Sequence, residues 1–187
     1  VNVALVDYRG YGGSDLGPMS AETFLADGLS VFDALAARAD GGGSALVVHG
    51  HSMGSLVAGH VAAERAAAGV VLESSATTTE DFVGTQLAWF ARPFIRIRIA
   101  EGLRRQGNLQ VMSRINEPLL LLVGAEDRDT PPRFSEALLR AAGGAGERRR
   151  VAVVPNAAHS DVLDRPAALE AYRDLLRLAR TTPSPRQ

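Results

Sequence analysis

A serine flanked by glycines is the segment of this chain with the clearest capacity for chemistry. Gly50-His51-Ser52-Met53-Gly54 follows the short apolar run Ala45-Leu46-Val47-Val48 and precedes an Ala-rich helical pattern. A strand that turns sharply into a helix strains the backbone at the turn, so the neighbours two positions away must lack bulk. This requirement explains Gly50 and Gly54, and it predicts that Ser52 projects from the turn as a nucleophile.

The helix predicted after this turn, the elbow (residues 50–54), adds an electrostatic element. Its dipole and the backbone N–H of Met53 would point at any oxyanion that forms beside Ser52. The alternative interpretation is a glycine-rich turn in which the serine only caps the helix. The strand before the motif and the helix after it favour the nucleophile, because that context is what confirms the motif.

A serine hydroxyl is a weak nucleophile that needs a base, and the base needs an acid to orient it. The strand-like run 149–154 is followed by His159, which is the candidate base. Another strand-like run, 119–123, is followed by three candidate acids: Glu126, Asp127 and Asp129. Because parallel strands bring their carboxyl ends to one edge of a sheet, we expect these side chains near Ser52.

The other three histidines are weaker candidates for the base. His51 belongs to the elbow itself, so its ring should point away from the hydroxyl of Ser52. His49 lies on the strand, and His60 lies about two turns into the helix, where a packed or half-exposed position is the simpler interpretation. Only His159 comes from a separate loop that can place its ring over Ser52.

The elements that must position these residues alternate between strand and helix patterns. Strand-like runs begin near residues 1, 45, 69, 119 and 149, and helical patterns separate most of them. Such alternation predicts an α/β fold with a mostly parallel sheet of about five strands and helices on both faces. We predict one domain over residues 1–180, a modest cap-like segment at 77–108 that Pro93 interrupts, and a polar tail at 181–187.

The composition restricts the function further. A formal net charge of -1 provides no electrostatic attraction for nucleic acid or an anionic membrane surface. There is no cysteine, which removes thiolate chemistry and disulfides. No apolar stretch approaches the ~20 residues of a membrane helix, so we expect no membrane span and a cytoplasmic protein. The oligomeric state is left open.

Together, the elbow, the acid loop and the histidine loop resemble the serine-hydrolase branch of the α/β-hydrolase superfamily, which includes esterases and lipases. The segment 7–14 resembles the loop after the fourth strand of that family. In the family the acid commonly sits three residues after the glycine that ends its strand, with a proline four residues further on. Gly124, Asp127 and Pro131 match this pattern, so the resemblance favours Asp127, with Asp129 second.

The resemblance implies hydrolysis of a carboxylic ester or a related acyl derivative through an acyl-serine intermediate at Ser52. His159 would be the general base, Asp127 its orienting acid and Met53 the oxyanion donor. The substrate would be a small acyl compound, and neither a metal nor an organic cofactor is implied. A serine at the elbow counts against the dehalogenases and epoxide hydrolases of this fold, which use an aspartate there.

The chain also departs from the family. Complete members have about three further strands before the run 1–6, and the loop after the third supplies a second oxyanion donor. Each buried unpaired backbone group would cost ~1–3 kcal/mol, so the run 1–6 must pair directly with 45–48, be displaced, or receive the missing strands from elsewhere, and we expect direct pairing. The missing strands also motivate an alternative function, that of a truncated, non-catalytic domain that acts as a binding module.

Overall fold

The computed structural model of the protein describes residues 2–86, 97–99 and 106–181. These residues form four strands: β1 (Val47–His51), β2 (Gly69–Glu73), β3 (Leu119–Gly124) and β4 (Arg149–Val154). They also form five α-helices: α1 (Ala21–Ala36), α2 (Met53–Glu64), α3 (Thr79–Gln86), α4 (Pro132–Ala141) and α5 (Pro166–Thr181). Short 3-10 turns lie at Gly42–Ala45, Asn108–Gln110, Met112–Arg114 and Val162–Asp164.

The four strands form one parallel sheet in the order β1-β2-β3-β4. Every residue of β2 and β3 is buried, whereas most of β1 and β4 is only partly buried or exposed. This difference follows from position, because the two central strands are covered on both faces and their sequences are nearly continuous apolar runs. The carboxyl ends of all four strands meet at one edge of the sheet.

Helices cover both faces of the sheet, which confirms the predicted fold class. Alternate residues of β2 and β3, such as Leu72 and Leu121, pack with α2 and α4 on one face, and α1 packs on α2. The residues between them, such as Val71 and Leu120, pack against α5 on the other face. Because successive side chains of a strand point to opposite faces of the sheet, each apolar strand contributes residues to both clusters.

The helix ends follow the local signals of the sequence. Ser20 caps α1 in a reciprocal arrangement, in which Thr23 N–H donates to Ser20 Oγ and Ser20 N–H donates to Thr23 Oγ1. After α4, Gly143 and Gly144 both have positive φ, and the N–H of Gly144 bonds to the carbonyl of Leu139. Glycine ends this helix because it enters the left-handed region without a side-chain clash.

The predicted first strand is wrong. Residues 2–7 form no strand and pair with no neighbour in the described sheet, and Val3 and Leu5 are 79% and 92% exposed. The chain immediately after them is held on α1, where Tyr8 stacks on Phe24 and Arg9 pairs with Asp27. In the described sheet β1 is an edge strand, and four of its five residues are partly buried or exposed, so water can satisfy its outer backbone groups and direct pairing is not required.

Part of the predicted cap segment lies outside the described residues, namely 87–96 and 100–105, and so do residues 182–187 of the predicted tail. What is described of the cap comprises α3 and a return through Gln106 to Asn108. Within the described ranges, no helix combines the length and apolar character needed to cross a bilayer. The single domain over 1–180 stays a prediction.

Replacement of a central strand residue should destabilise the protein far more than replacement of an exposed one. Leu121→Ala removes a fully buried side chain of β3, so we expect the free energy of unfolding to fall by about 2–5 kcal/mol. Leu169→Ala, at a position 41% exposed on α5, should change it by less than about 0.5 kcal/mol. Urea denaturation followed by circular dichroism measures both, and equal losses would contradict the assigned core.

Candidate active site

Ser52 occupies the turn between β1 and α2 with a strained backbone. Its φ of 52° and ψ of -119° are unfavourable for a residue with a side chain and store about 1–3 kcal/mol. Both sides of the residue are held in place. Its N–H donates to the carbonyl of Glu73 at 2.9 Å, and its carbonyl accepts from the N–H of Ser55 at 3.0 Å. These bonds to the sheet and to the first turn of α2 maintain the strain.

The two glycines of the elbow differ in their structural roles. A Cβ on Gly50 would collide with the backbone of Gly54 and with the N–H of Ser55, so Gly50 is required by close packing. A Cβ on Gly54 would meet no atom within 4 Å beyond its chain neighbours and the backbone of its own helix. The prediction that Gly54 must lack bulk is therefore wrong. The close contact at this turn is between the Cα of Gly50 and the backbone of Gly54, and the position that a Cβ of Gly54 would occupy is open.

Side chains from three loops form a hydrogen-bonded series at the carboxyl edge of the sheet. Ser52 Oγ lies 2.8 Å from His159 Nε2, and His159 Nδ1 lies 3.0 Å from Asp127 Oδ2. An Nδ1–H that donates to the carboxylate leaves Nε2 as the acceptor for the serine hydroxyl. The three residues favoured from the sequence are thus brought together in the geometry that a proton relay requires.

Asp127 is buried, with a side chain 0% exposed, yet it is held as a carboxylate. Its Oδ1 accepts from the N–H groups of Asp129 and Thr130, and its Oδ2 accepts from the Thr130 hydroxyl at 2.8 Å and from His159. Burial by itself raises the pKa of Asp127, but the bonds from Thr130 and His159 outweigh it and lower the pKa below its usual value. A negative charge is thereby maintained behind the imidazole.

The loop that carries His159 is held through its backbone. The carbonyl of His159 accepts a bond from Ser74 Oγ at 3.1 Å and one from His51 Nε2 at 2.8 Å. A Cβ on Gly124, at the end of β3, would collide with the carbonyls of Ala157 and Ala158. The hydrogen bonds from Ser74 and His51 hold this loop against the sheet. The missing side chain of Gly124 allows the loop to approach that closely.

The other candidate acids take different positions. Glu126 is exposed on the loop. Asp129 lies near His159, but its carboxylate accepts from Gln86 Nε2 at 3.1 Å, and its carbonyl accepts from Thr85 Oγ1 at 2.8 Å. Asp129 thus connects the acid loop to α3. A metal ion between these carboxylates and His159 would have to displace the bonds that orient the imidazole.

The remaining histidines lie apart from the hydroxyl of Ser52. His51 Nε2 bonds to the carbonyl of His159, and the two ring centroids are 5.1 Å apart. His49 pairs with the buried carboxylate of Glu73 at 2.9 Å. His60 is partly buried on α2, where burial lowers its pKa, in line with the predicted packed or half-exposed position.

The predicted oxyanion donor lies at the start of α2. Met53 is the first residue of this helix, so its N–H is among the four that have no partner within the helix. Its side chain is 64% exposed, which places the residue at the open end of the site. The helix dipole adds partial positive charge at the same point, beside Ser52.

Sequence reasoning missed two residues that hold the series from Ser52 to Asp127 in place, Thr130 and Ser74. Thr130 had a detectable signal, since a hydrogen-bonding residue three positions after an aspartate is typical of a carboxylate that caps its own turn. Ser74 had none, because its contact with His159 spans 85 residues of sequence. The structure brings it there by placing the ends of β2 and β4 at the same sheet edge.

The sequence model of the alpha/beta hydrolase family matches residues 1–114 of this chain. Among curated proteins, an uncharacterized protein of Mycobacterium tuberculosis, Rv2307c, is 30% identical over 178 residues, which cover 94% of this chain. The chain spans 60% of the length of that relative.

Two solved structures share the fold. The monoacylglycerol lipase of Paleococcus ferrophilus superposes with a TM-score of 0.62 at 19% identity, over 94% of this chain and 82% of the lipase. A thermophilic esterase from Thermogutta terrifontis superposes with a TM-score of 0.62 at 21% identity, over 94% and 79%. At such identities the likeness concerns the fold alone.

The close approach at Gly124 leads to a prediction for the histidine loop. Gly124→Ala should push the backbone of residues 157–158 away and move the ring of His159 from Ser52. We expect it to lower the free energy of unfolding by about 1–3 kcal/mol. Gly146→Ala is the matched control, since its Cβ would meet nothing within 4 Å and its φ lies outside the left-handed region. Thermal and urea unfolding of the two variants measure the difference, and equal stability would contradict the close packing.

The lowered pKa of Asp127 predicts how stability changes with pH. The ionised carboxylate stabilises the fold fully above the unfolded pKa of about 3.9, and this contribution is lost as the pH falls through the lower folded pKa. The stability difference between wild type and Asp127→Asn should therefore shrink as the pH falls from about 5 to 3. Urea titrations across this range measure it, and a constant difference would show that the pKa of Asp127 is not lowered.

Proposed function

Since this chain belongs to the alpha/beta hydrolase family, we propose that it is a serine hydrolase that cleaves a carboxylic ester or a related acyl derivative. Ser52 is the nucleophile, His159 the general base, Asp127 the acid that orients the base, and the N–H of Met53 an oxyanion donor. One observation carries this proposal, namely the series from Ser52 Oγ through His159 to Asp127, with steps of 2.8 and 3.0 Å.

Acylation begins when Ser52 Oγ attacks the carbonyl carbon of the substrate while His159 Nε2 takes the hydroxyl proton. The resulting imidazolium stays hydrogen-bonded to the buried carboxylate of Asp127, which stabilises its positive charge. The tetrahedral oxygen becomes negative beside the N–H of Met53 and the start of α2. Collapse of this intermediate breaks the bond to the leaving group, which departs with the proton from His159.

Deacylation repeats these steps with water as the nucleophile. His159 removes a proton from a water molecule as the water attacks the acyl carbon, and it then returns the proton to Ser52 Oγ as the acid product leaves. All groups in this cycle are side chains and one backbone amide of this chain. Orientation of the imidazole depends on Thr130 as well, because Thr130 and His159 donate to the same oxygen of Asp127.

The substrate class rests on the chemistry of the site and on similar folds. A serine-histidine-aspartate series acts on esters, thioesters and amides alike, because all of them pass through a tetrahedral oxyanion. Solved structures with this fold include a monoacylglycerol lipase and an esterase, which supports an ester as the first substrate to examine. No residue of the proposed site requires a cofactor, and a small acyl compound remains the proposed ligand.

A fluorophosphonate probe tests the nucleophile directly. Wild type should be labelled covalently at Ser52, and Ser52→Ala should lose labelling entirely. Among the described residues only the Ser52 hydroxyl bonds to His159 Nε2, and the Thr130 hydroxyl lies on the Nδ1 side of the ring. Asp127→Asn should reduce hydrolysis of a short p-nitrophenyl ester by about 10⁴, since the amide favours the wrong imidazole tautomer. Intact-mass spectrometry and absorbance at 405 nm provide the two measurements.

Ser113→Ala is the matched control, because it removes a hydroxyl that is exposed on a turn outside the site. It should be labelled as fast as wild type. A folded wild-type chain that takes up no probe and hydrolyses no ester would overturn the proposal. That result would favour the alternative of a hydrolase-like domain that binds without catalysis.

A further inference from the structure

A second hydrogen-bonded series reaches the nucleophile from the interior of the protein. Asn108 Nδ2 lies 2.8 Å from Ser75 Oγ, Ser75 Oγ lies 3.0 Å from Ser55 Oγ, and Ser55 Oγ lies 2.5 Å from the carbonyl oxygen of Ser52. Asn108 also donates to the carbonyl of Ser55 at 3.0 Å. None of these groups takes part in the proton relay described above.

Counting hydrogens gives this series a direction. The carbonyl of Ser52 can only accept, so the single hydroxyl hydrogen of Ser55 is donated to it. Ser55 Oγ then accepts from the hydroxyl of Ser75, which accepts from the amide of Asn108, and Asn108 Nδ2 also reaches Ser55 Oγ directly at 3.4 Å. The carbonyl of Ala76, 3.3 Å from Ser75 Oγ, is a second acceptor for the Ser75 hydrogen. Donors aligned in this way polarise one another, and the polarisation ends on the Ser52 carbonyl.

The position of Asn108 is closely fitted. Asn108, Ser55 and Ser75 are 1%, 0% and 0% exposed, so no water reaches them from bulk solvent. A Cβ on Gly59, in the middle of α2, would collide with Asn108 Oδ1. Only a glycine at that position of α2 leaves room for the amide of Asn108. The buried network therefore requires glycine at residue 59.

Asn108 is also fixed through the chain beside it. The N–H of Leu109 donates to the carbonyl of Thr77 at 3.1 Å, and the N–H of Thr79 donates to the carbonyl of Gln106 at 3.2 Å. These two bonds join the start of the cap-like segment to its return. Asn108 therefore stands where the cap-like segment re-enters the core, directly beneath the elbow.

The peptide group between Ser52 and Met53 shows what this network can do. A trans peptide is planar, and its N–H points opposite to its carbonyl. When Ser55 holds the carbonyl of Ser52 toward the interior, the N–H of Met53 is directed outward to the place where the oxyanion forms. The polarised carbonyl also makes that N–H a stronger donor.

We propose that Asn108 and Ser75 are positioning residues that hold the Ser52 carbonyl inward through Ser55 and so aim the oxyanion donor of Met53. The proposal rests on the proposed function, because it assumes that Ser52 is the nucleophile. It predicts a defect in the chemical step and not in the binding of the substrate. It also predicts that the effects of substituting Asn108 and Ser75 on the rate are not additive.

Ser75→Ala removes the hydroxyl in the middle of the series, and Asn108→Ala removes the amide donor at which the series begins. In fluorophosphonate labelling, the first-order inactivation constant should fall about 10- to 100-fold in each variant, while the probe concentration at half-maximal rate stays unchanged. The double variant should be no slower than Asn108→Ala alone, because the residues are coupled. Gly59→Ala, which displaces Asn108 without replacing any residue of the series, should reproduce the defect.

Ser135→Ala is the matched control for Ser75→Ala. Its hydroxyl is equally buried, lies on α4 and has no hydrogen-bond partner among the residues that the structure describes. It should label at the wild-type rate. Melting temperatures of all variants separate a loss of fold from a loss of rate.

The outcomes are distinct from those that test the proposed function. A wild-type chain that resists labelling counts against Ser52 as the nucleophile. Wild type that is labelled, together with folded Ser75→Ala and Asn108→Ala variants whose first-order constants equal that of wild type, overturns the positioning role. The positioning role is also overturned if the variants change only the probe concentration at half-maximal rate. It is likewise overturned if the losses of the first-order constant add in the double variant.

Discussion

The site depends on one strained peptide, that of Ser52, which the surrounding structure holds in a conformation it would not adopt alone. Glu73 accepts its N–H, and Ser55 donates to its carbonyl with both backbone and side chain. Each such bond contributes about 0.5–1.5 kcal/mol net, which is enough in sum to offset a strain of about 1–3 kcal/mol. Because these partners belong to β2 and α2, the elbow exists only when the sheet and its crossover helix are both formed.

A second requirement is the charge buried behind His159. A carboxylate out of water is unfavourable unless it is fully hydrogen-bonded, and Asp127 satisfies this condition with donors from its own loop. The cost of burial is thus met locally, within four residues of sequence. The acid loop is therefore preorganised, and His159 approaches a carboxylate whose geometry is already set.

The fold was largely predictable where local pattern and burial agree. The run that begins near residue 69 became β2, which is buried along its whole length as a central parallel strand is. The run 149–154 became β4 with the predicted bounds, although most of that strand is only partly buried. Residues 1–6 have the same propensity, yet residues 2–7 form no strand, because a strand needs a neighbour and Tyr8 and Arg9 hold the following chain on α1. Propensity is local, whereas pairing is decided by distant parts of the chain.

The sequence by itself determined the types and order of the residues proposed to react, because side chains must each follow a parallel strand to meet at one sheet edge. The choice of Asp127 over Asp129 needed family resemblance, since two carboxylates two residues apart have nearly the same local pattern. Only the tertiary structure decided what supports them: Ser74 behind His159, and Asn108 beneath Ser52. The contact between Asn108 and Ser55 spans 53 positions of sequence, and that between Ser74 and His159 spans 85. No local pattern records which side chains the packing of distant segments brings within hydrogen-bonding distance.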